Sequence, residues 1–109
     1  MTHVVTAGCV DVLDRACLAV CPVDCIYEGA RSMYINPQEC IDCGACQPAC
    51  PNEAIFYEED VPAELTAFVG VNESFFAAPL PGRDEPLGTP RSSRKLGPVG
   101  VDHPHVAQL

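Results

Sequence analysis

The run Cys40-Ile41-Asp42-Cys43-Gly44-Ala45-Cys46-Gln47-Pro48-Ala49-Cys50-Pro51 places four thiols at spacings of two, two and three residues and closes on a proline. Thiolates are soft ligands that suit zinc, copper(I) and iron–sulfur clusters. Two-residue spacings wrap a tight loop around one face of a cubane and aim three sulfurs at three irons. The fourth sulfur, one helical turn further on, points the other way, toward a second cluster. Gly44 lets the backbone approach closely, and Pro51 stops the helix without leaving an N–H unpaired. Structural zinc sites usually join two C-x2-C units across a longer loop, a plan this run does not follow. Iron–sulfur chemistry is the reading.

The run is the second half of an internal repeat. Cys17-x3-Cys21-Pro22-Val23-Asp24-Cys25-Ile26-Tyr27 recurs 29 residues later as Cys46-x3-Cys50-Pro51-Asn52-Glu53-Ala54-Ile55-Phe56. Cys9 opens the first copy, but Val12 stands where a middle cysteine is due, and valine cannot ligate iron. One site therefore has four thiolates: Cys40, Cys43, Cys46 and, by crossing over, Cys21. The other has three: Cys9, Cys17 and, by crossing over, Cys50. A cubane with three protein thiolates readily lacks its fourth iron, so one [4Fe–4S] and one [3Fe–4S] cluster are expected. Asp11 or Asp14 could supply a fourth ligand and make the second cluster [4Fe–4S]; the simpler reading is a solvated or helix-capping aspartate.

The remaining chemistry-bearing residues have plainer readings. Cys25, the eighth cysteine, aligns with Ala54 and reads as a small buried apolar residue, with a spare thiol for cluster rearrangement as the alternative. His3, His103 and His105, near the termini, read as surface histidines. Tyr27, Phe56 and the Ile26/Ile55 pair read as both core and a water-excluding shell around the clusters.

To position these cysteines, each half needs a strand, a cysteine loop, a short helix and a second strand. The expected strands are Val4–Thr6 and Ile26–Glu28 in one half, Met33–Ile35 and Ile55–Glu58 in the other, with helices around Asp14–Val20 and Gly44–Ala49. Gly29-Ala30-Arg31-Ser32 turns the chain between them. The expectation is an α+β, βαββαβ fold with a pseudo-twofold axis, dependent on its metal because neither half closes a core unaided. Residues 1–58 form this core. Residues 59–78 are a helical extension, with Pro62 in the first turn, Asp60 as a candidate cap, and Leu65, Phe68, Val69, Phe75 and Phe76 as its apolar face. Residues 79–109 hold 6 prolines and 4 glycines. That segment is either disordered or an extended strap across the body, with Leu80, Leu87, Leu96, Val99 and Val101 favouring the strap.

The charge is acidic, 15 Asp and Glu against 6 Lys and Arg, which disfavours nucleic acid as a partner. Residues 1–78 carry 12 acids and 2 bases, the rest 3 acids and 4 bases, so the body is the negative part and suits a basic docking surface. No stretch reaches the roughly 18 apolar residues that span a membrane, and no signal-peptide pattern precedes Cys9. A cytoplasmic, reducing location is expected, which disfavours a disulfide framework.

The segment Cys-Pro-Val-Asp-Cys-Ile-Tyr-Glu-Gly (21–29) closely resembles seven-iron bacterial ferredoxins. Gly-Ala-Arg-x-Met/Leu-Tyr-Ile-Asn-Pro recurs in the actinobacterial members, and the likeness runs from Met1 to about Tyr57. The resemblance implies the same fold and ligand split, and a C-terminal extension packed along the body. Some members carry a cysteine where Val12 sits. Some carry an aspartate directly before the ligand matching Cys17, associated with proton uptake; Ala16 stands there, with Asp14 as a possible substitute. The implied role is a monomeric one-electron carrier, not an enzyme, taking electrons from an NAD(P)H-dependent ferredoxin reductase and passing them to an acceptor such as a cytochrome P450. A redox or iron sensor, or a fixed subunit of a larger oxidoreductase, are the alternatives.

Overall fold

A computed structural model describes residues 2–11, 17, 21, 24–40, 46–50, 54–80, 84–88 and 93–108. Among these residues the strands are β1 (His3–Val5), β2 (Ile26–Glu28), β3 (Met33–Ile35) and β4 (Ile55–Tyr57). β-Branched and aromatic residues fill most of their positions, as a pleated, buried surface favours. β2 and β3 form an antiparallel hairpin, Ile26 opposite Ile35 and Glu28 opposite Met33. The Gly29 N–H donates to the Ser32 carbonyl at 2.9 Å across the expected turn. β1 pairs antiparallel with β4, Val5 opposite Ile55, so strands from the two ends of the cysteine-rich region meet. Beside them the Thr6 N–H and Oγ1 both donate to the Ala54 carbonyl, at 2.8 and 2.6 Å. The result is α+β, with two small antiparallel sheets and helices. β1 begins one residue earlier than expected, and β4 stops at Tyr57 because Glu58 opens a 3-10 turn.

Alternation along the strands sorts side chains onto two faces. Val5, Ile26, Met33, Ile35 and Ile55 pack with the cysteines. Val4, Tyr27 and Tyr34 point the other way, into a second apolar core built with the C-terminal half of the chain. Tyr27 therefore lies on the face opposite the cysteines, with its ring edge-on to Phe76 at 5.0 Å and its hydroxyl donating to Glu39 Oε1 at 2.6 Å. It is not part of a cluster shell, since neighbouring strand residues cannot share a face.

The described helices are α1 (Cys46–Ala49), α2 (Ala67–Ala77), α3 (Ser93–Leu96) and α4 (Pro104–Ala107). α2 starts later than the sequence suggested. Asp60 closes a 3-10 turn and caps nothing; Pro62 precedes a second such turn, Ala63–Leu65; Thr66 spends its hydroxyl on the Ala63 carbonyl at 3.1 Å. The buried stripe of α2 is Phe68, Val71, Asn72, Phe75 and Phe76. Gly70 lies on the exposed side, so it weakens the helix without disturbing its packing. Phe75 stacks on Tyr34 with ring centroids 3.7 Å apart.

Tail residues cross the body and bond to it. The Ser93 N–H donates to the Asp24 carbonyl at 2.9 Å and the Val99 N–H to the Glu28 carbonyl at 2.8 Å. Buried Asp102 accepts through Oδ1 from the Tyr34 hydroxyl at 2.9 Å and from the Arg31 N–H at 3.0 Å. Burial pushes the Tyr34 phenol up, keeping it a donor. Gly29 is required here: a Cβ would meet Tyr34 Cε1 at 2.6 Å, Asp102 Oδ1 at 2.7 Å and the Val101 carbonyl at 2.9 Å.

Candidate metal centre

The cysteines enter the core at the ends of short elements, where backbone can curve. Cys9 ends a 3-10 turn after β1, Cys25 immediately precedes β2, and Cys40 follows the turn after β3. Cys46 opens α1 and Cys50 follows its last residue. Cys9, Cys17, Cys21, Cys25 and Cys46 are buried in one apolar cluster, with Cys40 and Cys50 half-buried against it. All seven are free thiols. The sequence candidates Cys9, Cys17, Cys21, Cys40, Cys46 and Cys50 thus share one side of the molecule. Cys43 lies outside the described residues, as do Val12, Asp14 and Ala16.

Backbone donors already face the sulfurs. The Met33 N–H reaches Cys9 Sγ at 3.4 Å, and the Cys25 N–H reaches Cys21 Sγ at 3.3 Å. Such bonds stabilise a thiolate and offset charge on whatever it ligates. Asp24, between Cys21 and Cys25, adopts φ 51°, the left-handed conformation that aspartate tolerates better than most residues. Among the described residues no three His, Cys, Asp or Glu side chains gather closely enough to hold a single metal ion. A cubane makes a different demand, because each thiolate binds its own iron. An all-sulfur, apolar, disulfide-free donor set with N–H groups directed at sulfur fits an iron–sulfur cluster.

Cys25 sits 3.4 Å from Cys21 Sγ and is 2 % exposed, close to the 1 % of its repeat counterpart Ala54. The Cys40 thiol beside it, burial and Cys21 all push its thiol up. It occupies the small buried position the alignment indicated. Ile26 and Ile55 line the cysteine side, and Phe56 is half-buried.

The histidines depart from the surface reading. His3 is 5 % exposed and meets Tyr57 edge-on at 5.7 Å, because β1 is covered on both faces. His103 is half-buried: its Nε2 lies 2.7 Å from Ser74 Oγ, and its Nδ1 accepts from the His105 N–H at 3.0 Å, capping α4. His105 is exposed and lies edge-on to Phe68. No sequence signal marks His103 as a cap except Pro104 at the first helical position.

One pair joins the Cys9 loop to the hairpin. Asp11, at φ 65°, accepts from Arg31 through both carboxylate oxygens. The hydrogen bonds from Arg31 hold the Asp11 carboxyl below its ordinary value. No local pattern in the sequence pairs the two, since they lie 20 residues apart, Asp11 in the loop after Cys9 and Arg31 in the turn between the halves. Among the described residues no helix is long and apolar enough to cross a membrane.

Comparisons with known proteins agree with this chemistry. The family described as "4Fe-4S binding domain" matches residues 33–56, which span β3, the cysteine run and the start of β4. A protein named ferredoxin from Mycobacterium tuberculosis is 55% identical over 109 residues, 100% of this chain and 96% of its own length. A ferredoxin from Streptomyces griseus is 53% identical over 108 residues, 99% of this chain and 95% of its own length. A protein named "Ferredoxin 7Fe" from Hydrogenibacillus schlegelii is 47% identical over 76 residues, 70% of this chain and 97% of its own length. With likeness of that degree across its whole length, and with the cysteines gathered as described, the chain belongs to the actinobacterial type of bacterial ferredoxin: it is an iron–sulfur electron carrier and not an enzyme.

Proposed function

We propose that the chain shuttles single electrons through two clusters. One is a [4Fe–4S] cluster on Cys21, Cys40, Cys43 and Cys46; the other is a [3Fe–4S] cluster on Cys9, Cys17 and Cys50. The observation that carries this reading is the single cysteine-lined side of the core, with its N–H donors directed at Cys9 and Cys21. The gap at Val12 and the likeness to a protein named "Ferredoxin 7Fe" support the unequal iron count. The two halves are taken as a pseudo-twofold βαββαβ unit over 1–58, followed by the helical extension 59–78 and the tail 79–109.

When bound, such clusters supply one-electron exchange at a potential set by ligands, hydrogen bonds and exposure. The chain's own residues do the tuning. Met33 and Cys25 N–H groups oppose the negative charge that reduction adds, and so raise the potentials. Val5, Ile26, Ile35 and Ile55 exclude water from the sulfurs. The negative body steers the chain toward basic surfaces. The proposed donor is an NAD(P)H-dependent ferredoxin reductase, the proposed acceptor a cytochrome P450, and the location cytoplasmic. Low-temperature EPR and iron analysis of anaerobically purified protein test the cluster assignment. A three-iron signal in the oxidised state and about seven irons per chain are expected; about eight irons without that signal overturn it. Reductase-dependent reduction of the chain, and then of a P450, tests the partners.

A further inference from the structure

The loop that follows Cys9 is held by one residue of the turn between the two halves. The Arg31 guanidinium donates from Nε to Asp11 Oδ1 at 2.7 Å and from Nη2 to Asp11 Oδ2 at 2.6 Å. Its carbonyl accepts from the Asp11 N–H at 2.8 Å. The remaining Nη1 donates to the carbonyls of Val106 at 3.0 Å and Ala107 at 3.4 Å, and the Arg31 N–H donates to buried Asp102. The planar fork is thus anchored by the hairpin and by the C-terminal turn, and Asp11 is fixed to it. Lysine could not reproduce this, because the arrangement needs a rigid fork and not a point charge. The Asp11 carboxylate is held at the surface, while the Cys9 sulfur is buried.

Asp11 is the residue next to Val12, where the repeat lost its cysteine. A carboxylate oxygen at that point is a chemically sound ligand for iron(II). We propose that Arg31 is the positioning residue that sets the iron content of the three-cysteine site, by keeping the Asp11 carboxylate in a bidentate ion pair and away from a fourth iron. The inference rests on the [3Fe–4S] assignment above. The step it restrains balances without a further electron: reduced [3Fe–4S]0 takes up Fe2+ to give [4Fe–4S]2+, with the Asp11 oxygen completing the ligand set. The C-terminal turn joins this control through the Val106 and Ala107 carbonyls.

The test is an anaerobic Fe2+ titration of the dithionite-reduced holoprotein, read by loss of the three-iron EPR signal after reoxidation. Dithionite supplies the electron that brings the three-iron cluster to its neutral state. An exposed ion pair of this kind changes binding by roughly fivefold at most, so freeing Asp11 moves the uptake midpoint of Arg31→Leu about two- to fivefold below wild type. Arg31→Leu/Asp11→Asn returns it to the wild-type value or above. A midpoint unmoved in Arg31→Leu, or equally lowered in the double variant, overturns the proposal; a merely structural role of Arg31 would lower both alike. Should Arg31→Leu also lose its [4Fe–4S] signal, Arg31→Lys, which keeps the charge without the fork, is read against the same two outcomes. Wild-type protein with no three-iron signal would instead overturn the cluster assignment, and this inference with it.

Discussion

Asn72 is the polar residue on which the join between the two sheets depends. From the buried stripe of α2, where it is 2 % exposed, its Oδ1 accepts from the Val5 N–H at 3.1 Å and the Ile35 N–H at 3.0 Å. Its Nδ2 donates to the Val5 carbonyl at 2.8 Å and the Phe68 carbonyl at 2.8 Å. β1 and β3 belong to different sheets, so one amide side chain cross-links both to the helix. Replacing it with leucine, of similar size, removes all four bonds and leaves Val5 N–H, Val5 C=O and Ile35 N–H buried without that partner. At about 1–3 kcal/mol for each stranded group, and with some relaxation, the expected loss is about 3–6 kcal/mol. That is a large share of the ~5–15 kcal/mol that holds a domain together. Cluster loss makes unfolding irreversible, so stability is compared through the rate of unfolding, each 1 kcal/mol on the barrier being about fivefold in rate. The assay is therefore anaerobic guanidinium denaturation followed by cluster absorbance, with exposed Glu73→Gln, expected within about 0.5 kcal/mol of wild type, as the control. An Asn72→Leu protein within about 1 kcal/mol of wild type would refute the reasoning, because the stranded backbone groups would then have found other partners.

Gly29→Ala should displace the tail, since two of the three atoms met by the new Cβ belong to the buried Tyr34 ring and the Val101 backbone. About 1–3 kcal/mol of destabilisation and faster proteolysis within residues 93–108 are expected. Gly70→Ala should act in the opposite direction: nothing lies within 4 Å of its Cβ, so the helix gains about 0.5–1 kcal/mol, read as a higher denaturation midpoint. His103 gives a pH dependence. Burial lowers its pKa below the ordinary value of about 6.5, and its Nδ1 must stay unprotonated to accept from His105. The unfolded chain takes the proton first as pH falls. The stability from the neutral ring is thus complete above about pH 6.5 and is lost as pH drops toward the lower folded value. Amide exchange in α4 should accelerate over that window, and His103→Ala should abolish the dependence.

Residue spacing in the chain was enough to assign the metal chemistry. Three cysteines at two-residue intervals followed by x3-Cys-Pro have few other uses, and the 29-residue repeat isolated Val12 and paired Cys25 with Ala54. Strand positions followed as well: β2 and β3 lie where the β-branched and aromatic runs put them, on either side of the 29–32 turn. These features are local, governed by spacing and period, so a linear reading reaches them. What lies on each face of the strands was decided only in three dimensions. Tyr27 was assigned to the cluster shell although alternation turns it toward Phe76, because no local signal says which apolar partner arrives on which side. The buried His3 against Tyr57, the His103–Ser74 contact, the Asn72 cross-link, the Asp102 latch and the Arg31–Asp11 clamp each join residues far apart in the chain. Polar residues of this kind look like surface residues in a sequence. Only when the backbone groups of distant strands are buried beside them does hydrogen-bond satisfaction make them structural.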